Sequence, residues 1–265
     1  GTLRDTAGLL ELRNAELRTL VDELAAARDQ AEAGSRAKSQ FLANTSHEIR
    51  TPVHGVLGMA DLLLQTDLGA AQQRLAATLQ SSAQALLELI DDVLDLSRIE
   101  AGRLELASVA LDPRQVAEEA VAMVRPRAHA KGLVISSRIE EPLLLRVLGD
   151  PGRLRQILLN LLDNAVKFTD HGEVTLVVRG REQEERKVSL VFEVQDTGVG
   201  IPPGGAAQVF DSFTQLDDGP NRRQGGAGLG LAISRQLARL MGGEIELESQ
   251  VGVGSTFRLQ VRLAR

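Results

Sequence analysis

A histidine stands inside the segment Ser46-His-Glu-Ile-Arg-Thr-Pro52. Glu48 follows His47 and can accept the proton of one ring nitrogen, which leaves the other nitrogen as a lone-pair nucleophile. In a helix, the Thr51 hydroxyl lies one turn from His47 on the same face. Pro52 removes a backbone hydrogen bond from that helix and favours a bend there. A single histidine on a helix is usually structural, but these neighbours indicate a nucleophile for group transfer.

Three polar residues, Asn160, Asn164 and Lys167, share one face of a predicted helix in the second half of the chain. Amide oxygens are hard ligands that suit Mg²⁺, which takes further oxygens from phosphates, and an ammonium group beside them can neutralise phosphate. The same spacing also fits an ordinary exposed helix face. The triplet gains meaning only together with other motifs.

Three glycine-rich segments follow along the chain. The first, DTGVGI from Asp196, comes after a predicted strand; its carboxylate can accept a hydrogen bond from an amino group, and its glycines allow close backbone approach. The second, GAGLGL from Gly226, opens a predicted helix whose free N–H groups can bind phosphate. The third, GVGST from Gly252 to Thr256, fits a hairpin turn. Each alone is weak evidence for a ligand site.

The periodicity of apolar residues predicts the elements that carry the histidine. Leucines recur every seven residues from Leu3 to Leu24, which predicts a coiled-coil helix over 1–34. An amphipathic helix packed on its own chain is the alternative. Helices at about 35–65 and 71–99 form a predicted hairpin. Because one hairpin leaves much of its apolar stripe exposed, we expect a two-fold homodimer with a four-helix bundle.

The rest of the chain mixes helices and strands, which predicts an α/β sandwich of a mixed sheet and a helical layer. The predicted helices are 113–131, 151–168 and 228–241, and the predicted strands are 132–139, 144–148, 173–179, 187–195, 244–249 and 255–263. The stretch between Gly200 and Gly228 is rich in glycine and proline and is too long for an ordinary connection. It is a candidate lid.

The four polar and glycine-rich segments, in this order, resemble the N, G1, G2 and G3 boxes of a nucleotide-binding fold. Sensor histidine kinases, gyrase-type ATPases, MutL and a heat-shock chaperone share that fold. The resemblance spans roughly 103–265 and implies a Bergerat-type ATP-binding domain. It implies that Asp196 accepts from the adenine amino group with Thr256 nearby, and that Asn164 holds Mg²⁺ with Asn160 close by. The other implied nucleotide-site residues are Lys167, Phe168, Gly198, Gly200, Phe213, Arg222, Gly226, Gly228, Leu229 and Gly230.

The segment around His47, with Phe41-Leu-Ala-Asn44 before it, resembles the H box of histidine kinases, whose phosphoacceptor lies on a dimerisation hairpin. The gyrase, chaperone and mismatch-repair relatives lack such a hairpin, so the resemblance selects the kinase branch. It implies three parts, all in an α+β chain: a coiled-coil signal helix at 1–34, a dimerisation and phosphotransfer hairpin at 35–102, and the ATP-binding domain at 103–265.

The segment Val209-Phe-Asp-Ser-Phe-Thr-Gln215 inside the candidate lid resembles the F box of the same family. Three departures from the family pattern stand out. His54 replaces a frequent asparagine, Ala227 replaces a frequent threonine of the G2 box, and small residues precede the F box. We expect His54 to be a packing or surface residue, and we expect the lid to be loose.

The resemblance implies an ATP-dependent protein histidine kinase core. It would phosphorylate His47, with Glu48 as base, and pass the group to an aspartate on a response-regulator receiver. The Glu48-x-x-Thr51 spacing further implies phosphatase activity toward the regulator. Two alternatives stay open: an ATPase clamp of the gyrase or chaperone type, and a dimeric nucleotide-binding scaffold or phosphatase without kinase activity.

Composition excludes several other classes of protein. The formal net charge of −6 and the near-absence of aromatic residues, with 6 Phe and neither Trp nor Tyr, disfavour nucleic-acid binding. The chain has no cysteine for thiolate chemistry, and no apolar run approaches the length of a membrane helix. We therefore expect a cytoplasmic core, which could belong to a membrane-bound sensor, with its upstream sensor domain absent from this chain.

Overall fold

The computed structural model of the protein describes residues 2–141, 143, 146–182, 187–214 and 228–264. The chain divides into two compact units, residues 1–104 and residues 105–265. Among the described residues, no helix combines the length and the apolar character needed to cross a lipid bilayer.

The first unit is the helical hairpin that the periodicity predicts. Helix α1 (Thr2–Leu64) is continuous, so the heptad segment and the histidine segment belong to one helix that also passes through Pro52. Helix α2 (Ala70–Glu100) follows a short turn. It begins after Gly69, whose N–H donates to Oε1 of Gln72 at 3.0 Å and so satisfies one free backbone donor of the new helix.

Polar pairs between α1 and α2 fix how the two helices of the hairpin are aligned. They are Lys38 Nζ with Glu100 Oε2 at 3.0 Å, Arg50 Nη2 with Asp91 Oδ1 at 2.6 Å, and Gln80 Nε2 with Asp61 Oδ1 at 2.6 Å. Ala83, Leu87, Ile90 and Leu94 of α2 form the apolar side that is buried within the hairpin. Phe41, Met59, Leu62 and Leu75 remain at least 60% exposed. One chain therefore covers only part of its apolar surface.

Asp92 on α2 makes the stability of the hairpin depend on pH. Burial, with the like charges of Asp95, Glu88 and Asp91, raises its pKa from 3.8 to about 6. The folded state therefore binds more protons than the unfolded state between these pH values. The stabilisation is complete below about pH 4 and is lost as the pH rises through about 6.

We expect Asp92→Asn to remove the cost of ionising this carboxyl in the folded hairpin, because the amide carries no charge at any pH. The melting temperature of the helical signal, followed by circular dichroism, should rise by a few degrees at pH 8. Its decline between about pH 4 and 6 should flatten. Asp67→Asn, at an exposed turn position, is the control and should leave the pH profile unchanged. An Asp92→Asn protein with the wild-type slope would contradict the assignment.

The second unit is the predicted α/β sandwich. Its elements are β1 (Val109–Leu111), α3 (Pro113–Ala130), β2 (Val134–Ile139), β3 (Val147–Gly149), α4 (Pro151–Phe168), β4 (Glu173–Glu182), β5 (Lys187–Asp196), α5 (Gly205–Gln208), α6 (Gly230–Leu240), β6 (Glu244–Gln250) and β7 (Gly254–Ala264). Strand β1 and the short helix α5 were not predicted, and β3 lies later than the predicted 144–148. In the candidate lid, α5 is the regular element within the described part, and 215–227 lie outside the described residues.

The seven described strands form one mixed sheet. Its order is β1-β3-β7-β5-β4-β2, with β6 also paired to β7. Strands β2 and β4 are parallel, whereas the β4–β5 and β6–β7 pairs are antiparallel. Helices α3 and α4 each begin with an aspartate whose side chain accepts a backbone N–H, followed by a proline: Asp112 with Pro113, and Asp150 with Pro151.

The apolar side of α4 decides which residues of that helix can reach a ligand. Leu154, Leu158, Leu161 and Leu162 are fully buried, each with 0% of its surface exposed. The helix is thereby fixed in the core, and its opposite side stays accessible. That side carries the polar triplet singled out in the sequence.

Candidate phosphoacceptor and nucleotide sites

His47 lies on an exposed side of α1. Within the described part of the chain, neither its imidazole nor the Glu48 carboxylate has a hydrogen-bond or ion-pair partner. The contact expected between these neighbours is therefore not made in this structure, and successive side chains of a helix do not face each other. Thr51 lies on the same face as predicted, and its Oγ1 donates to the His47 carbonyl at 3.3 Å. The imidazole is therefore accessible from solvent.

A second imidazole lies further along α1. His54 is exposed, and its Nδ1 is 2.9 Å from the carbonyl oxygen of Arg50. Arg50, about one helical turn after His47 on α1, in turn forms an ion pair with Asp91 of α2 at 2.6 Å. The ion pair fixes α1 against α2 close to the candidate phosphoacceptor.

The asparagines of α4 are brought together as predicted. Nδ2 of Asn164 is 3.5 Å from Oδ1 of Asn160, and Nδ2 of Asn160 donates to Oγ of Ser234 on α6 at 2.9 Å. A Cβ at Gly230 would collide with Oδ1 of Asn160, so a side chain where α6 begins would displace the Asn160 amide. Asn160 therefore links the two helices, and Asn164 keeps its own amide oxygen for a ligand.

Lys167 and Phe168 close the polar face at the end of α4. The Lys167 ammonium lies 4.8 Å from the centroid of the Phe168 ring, within the range of a cation–π contact. Burial lowers the pKa of Lys167. The Phe168 ring is 51% exposed, so it offers an apolar face to a flat ligand. A nearby anion would oppose this effect by favouring the charged form of the lysine, and would be bound by it.

Asp196, the last residue of β5, presents a carboxylate with one occupied oxygen. Oδ1 accepts the N–H groups of Gly198 at 2.9 Å and Ser255 at 3.2 Å. Burial raises the pKa of Asp196, and these two hydrogen bonds oppose that rise. Oδ2 has no protein partner within the described ranges. It is therefore the atom that can accept a hydrogen bond from a ligand amino group.

Ser255, which the sequence did not single out, lies beside Asp196. The β5–β7 register pairs Asp196 with Ser255 and Gln195 with Thr256. Because neighbouring residues of a strand point to opposite faces, Ser255 shares the face of Asp196 and Thr256 shares the face of Gln195. Thr256 is thus adjacent in sequence but lies on the other face of the sheet. The position of Ser255 beside Asp196 depends on the register of β5 against β7, which a single sequence does not reveal.

The loop after Asp196 packs tightly, which explains its glycines. A Cβ at Gly198 would collide with the carbonyl oxygen of Phe168, and a Cβ at Gly200 with that of Gln250. Gly200 also has a φ of 70°, a left-handed conformation that glycine adopts at little cost. The loop is therefore held between the end of α4 and the β6–β7 turn.

The second glycine-rich segment is described from Gly228 onward. Gly228 has a φ of 70°, and its carbonyl accepts the Phe213 N–H at 3.0 Å. Phe213 is 67% exposed, whereas Leu229 is buried at 1% exposed, so Leu229 can contribute only its backbone to a ligand. Gly230 is the first residue of α6. Arg222 and Gly226 lie outside the described residues.

The donor set fits a magnesium ion that completes its shell from a nucleotide. Among the described residues, no group of three or more His, Cys, Asp or Glu side chains could hold a metal ion. Mg²⁺ is often bound by one or two protein oxygens together with phosphates and water. Asn164 offers such an oxygen, whereas Oδ1 of Asn160 faces Asn164 and the start of α6. Asn164 is the better candidate ligand.

Two family models match this chain. The His Kinase A (phospho-acceptor) domain matches residues 37–102, which contain His47. The histidine kinase-, DNA gyrase B-, and HSP90-like ATPase matches residues 149–265, which contain Asn164 and Asp196. Together the two cover more than two thirds of the chain. The chain belongs to the histidine kinases.

Relatives of this histidine kinase include two sensor proteins and one solved structure. The signal transduction histidine-protein kinase BarA of Escherichia coli (strain K12) is 41% identical over 261 residues, 98% of this chain and 28% of BarA. The sensor histidine kinase GacS of Pseudomonas protegens is 42% identical over 243 residues, 92% of this chain and 26% of GacS. The crystal structure of full-length ShkA in complex with AMPPNP matches this chain with 40% sequence identity and a TM-score of 0.71. The match covers 85% of this chain and 46% of ShkA. The chain thus spans less than half the length of each.

The segment that resembles the F box is anchored to the second unit by Phe210. Phe210 is buried, and its ring meets Phe257 of β7 edge-on at 6.3 Å. Arg235 of α6 lies over the Phe210 ring at 5.0 Å and donates to its carbonyl oxygen at 3.2 Å. Of the two phenylalanines in this segment, Phe210 is buried in the core of the second unit, whereas Phe213 stays exposed.

Proposed function

We propose that this chain transfers the γ-phosphoryl group of ATP to His47. The proposal rests on one combination: a phospho-acceptor domain with an exposed histidine and an ATPase-type domain with a free carboxylate oxygen, on a single chain. An ATPase clamp would not need the first of these domains, and a nucleotide-binding scaffold would not need its exposed histidine. The crystallised AMPPNP complex of ShkA supports nucleotide binding in the second domain.

In the proposed reaction a lone pair of the His47 imidazole attacks the γ-phosphorus. An N–P bond forms while the bond from that phosphorus to the β–γ bridging oxygen breaks, and ADP leaves. Glu48 accepts the proton of the other ring nitrogen, which requires its exposed side chain to turn toward the ring. Such transfers depend mainly on positioning and on neutralising phosphate charge.

The residues of the second unit bind the nucleotide in this proposal. Oδ2 of Asp196 accepts from the adenine amino group, and Phe168 borders the purine. Lys167 neutralises phosphate charge, and the start of α6 offers backbone N–H groups to phosphate. Mg²⁺, held by Asn164 with Asn160 beside it, would offset the charge of the phosphate oxygens. Arg222 and Gly226, which lie outside the described residues, are proposed to contact the phosphates as the family resemblance implies.

The direct test incubates the chain with ATP labelled at the γ-phosphate. We expect label on the protein that acid removes and alkali does not, which is the behaviour of a phosphoramidate. Steady release of labelled phosphate without labelled protein would instead favour the ATPase clamp. Weak or undetectable binding of a fluorescent ATP analogue by a chain that still dimerises would favour the scaffold or phosphatase, which binds nucleotide only weakly.

We further propose the partners of this core. A homodimer would cover the exposed apolar residues of the hairpin, and the heptads at 1–34 would continue it as a coiled coil toward an upstream sensor domain. The phosphoryl group would pass to an aspartate on a response-regulator receiver domain. Because ATP is the substrate, we place the core in the cytoplasm.

Thr51 is proposed to serve dephosphorylation of the regulator. We expect Thr51→Ala to retain autophosphorylation within about twofold and to lose most of the regulator phosphatase activity, since the hydroxyl would orient water but not the nucleotide. The two rates are measured separately with a phosphorylated receiver. Thr78→Ala is a matched control, because Thr78 is also exposed and bonds the carbonyl four residues earlier, at 2.8 Å. Equal loss of both rates in Thr51→Ala would indicate misfolding.

A further inference from the structure

Helix α4 ends at an extended C-cap residue and not at a left-handed one. Thr169, which follows Phe168, is extended with φ −107° and ψ 120°, so no left-handed residue turns the chain back onto the last carbonyls. Those carbonyls need partners from elsewhere. Lys131, just after α3, supplies them: its Nζ donates to the carbonyl oxygens of Val166 at 2.9 Å, Lys167 at 2.8 Å and Thr169 at 3.4 Å.

The two carbonyls of this stretch that Lys131 does not bind also have partners. Oγ1 of Thr169 donates to the carbonyl of Ala165 at 2.7 Å. The N–H of Val199, in the loop after Asp196, donates to the carbonyl of Phe168 at 3.2 Å. Five successive carbonyls, 165–169, are thus satisfied. The Lys131 ammonium lies at the negative end of the α4 dipole, where a cation is stabilised.

The end of α4 has little room to shift against the loop after Asp196. A Cβ at Gly198 would collide with the Phe168 carbonyl and would lie 2.9 Å from Thr169 Oγ1. A displacement of 168–169 would therefore move Val199 and Gly198. Through the Gly198 N–H it would also move Oδ1 of Asp196, 2.9 Å away.

We propose that Lys131 is a positioning residue for the nucleotide. By holding the α4 carbonyls it fixes Lys167 and Phe168 on one side of the site relative to Asp196 on the other. The inference rests on the proposed nucleotide site, but Lys131 itself acts through backbone carbonyls. It lies outside both family-matched ranges, 37–102 and 149–265.

A purely structural role is the competing explanation, since α3 and α4 pack together. A substitution of Arg127 distinguishes the positioning role from the purely structural role. It lies one turn before Lys131, and its Nη1 reaches α4 through the Asp163 carboxylate at 3.0 Å. Arg127→Gln removes a cation that links the same two helices but leaves the carbonyls of 166–169 bound. It is therefore the matched control.

The experiment compares Lys131→Met, Lys131→Arg and Arg127→Gln in the full chain. We expect Lys131→Met to weaken binding of a fluorescent ATP analogue, and to raise the KM for ATP in autophosphorylation, by about tenfold, with kcat within about twofold. Lys131→Arg keeps a charged donor and should recover most of the affinity. Arg127→Gln should bind as the wild type does.

Hydrogen exchange without nucleotide supplies a readout that does not depend on kinase activity. In Lys131→Met the amides of Gly198 and Val199 should exchange faster, while amides in the centre of β5 stay protected. The proposal is overturned if these amides and analogue binding are unchanged, or if Arg127→Gln reproduces both effects. If Lys131→Met does not fold, Lys131→Gln is measured against the same expectations. A wild-type chain that binds nucleotide but forms no phosphohistidine would refute the proposed function and leave this inference standing.

Discussion

Replacing His47 by glutamine is expected to reduce acid-labile phosphate on the protein to background, a loss of about 1,000-fold or more. The amide of glutamine has a similar size but no nucleophilic lone pair on nitrogen. His47 is exposed and has no side-chain partner among the described residues, so the substitution should leave the hairpin intact. The melting temperature and the binding of an ATP analogue should stay at wild-type values.

His54 provides the matched control for His47. It is a second exposed imidazole on α1, and its Nδ1 lies 2.9 Å from the Arg50 carbonyl. His54→Gln should keep phosphate incorporation within about twofold of the wild type. Undiminished label on His47→Gln would remove His47 from its proposed role. Loss of label in His54→Gln alone would move the phosphoacceptor seven residues along the helix.

Local patterns in the sequence were enough to predict the long helices and the hairpin strands. The 3.6-residue periodicity predicts α2 within one residue at each end, and the predicted helices 113–131 and 151–168 begin at the residues where α3 and α4 begin. Each of these signals lies within the element that it specifies. The sandwich fold was predicted for the same reason.

Features that depend on distant pairing were not predictable from one sequence. Strand β1 has only three residues and is stabilised by pairing with β3, about 38 residues later in the Ala110–Leu148 pair. Its partner β3 was placed too early because its extent depends on β1 and on the end of β7. The contact of Ser255 with Asp196 has the same cause, since it depends on the β5–β7 register.

The candidate nucleotide site likewise combines features that are local in sequence with features that depend on distant residues. The α4 triplet and the Asp196 segment could be predicted, because each has its own spacing on one element. The bond from Asn160 to Ser234 and the bonds from Lys131 to the end of α4 join residues that are far apart in sequence. Only the packed structure brings them together.

Asp196→Asn is expected to abolish useful ATP binding through the orientation of its amide. The backbone N–H groups of Gly198 and Ser255 both donate to Oδ1 and would hold the amide oxygen of the variant in that place. The amide NH₂ would then occupy the position of Oδ2. There it would present a donor to the adenine amino group, which is also a donor, and two facing donors cannot bond.

We expect the affinity for a fluorescent ATP analogue to fall by about 100-fold or more in Asp196→Asn, with little change in melting temperature. Inosine triphosphate offers an acceptor in place of the amino group, so competition experiments should show its affinity relative to ATP rising in the variant. Asp170→Asn, an exposed acid just after α4, should change neither value. Equal loss of both nucleotides would point to a collapsed loop, and unchanged ATP affinity would place the adenine elsewhere. A rise in the affinity for inosine triphosphate relative to ATP requires that Oδ2 of Asp196, the oxygen with no protein partner among the described residues, bonds the purine directly.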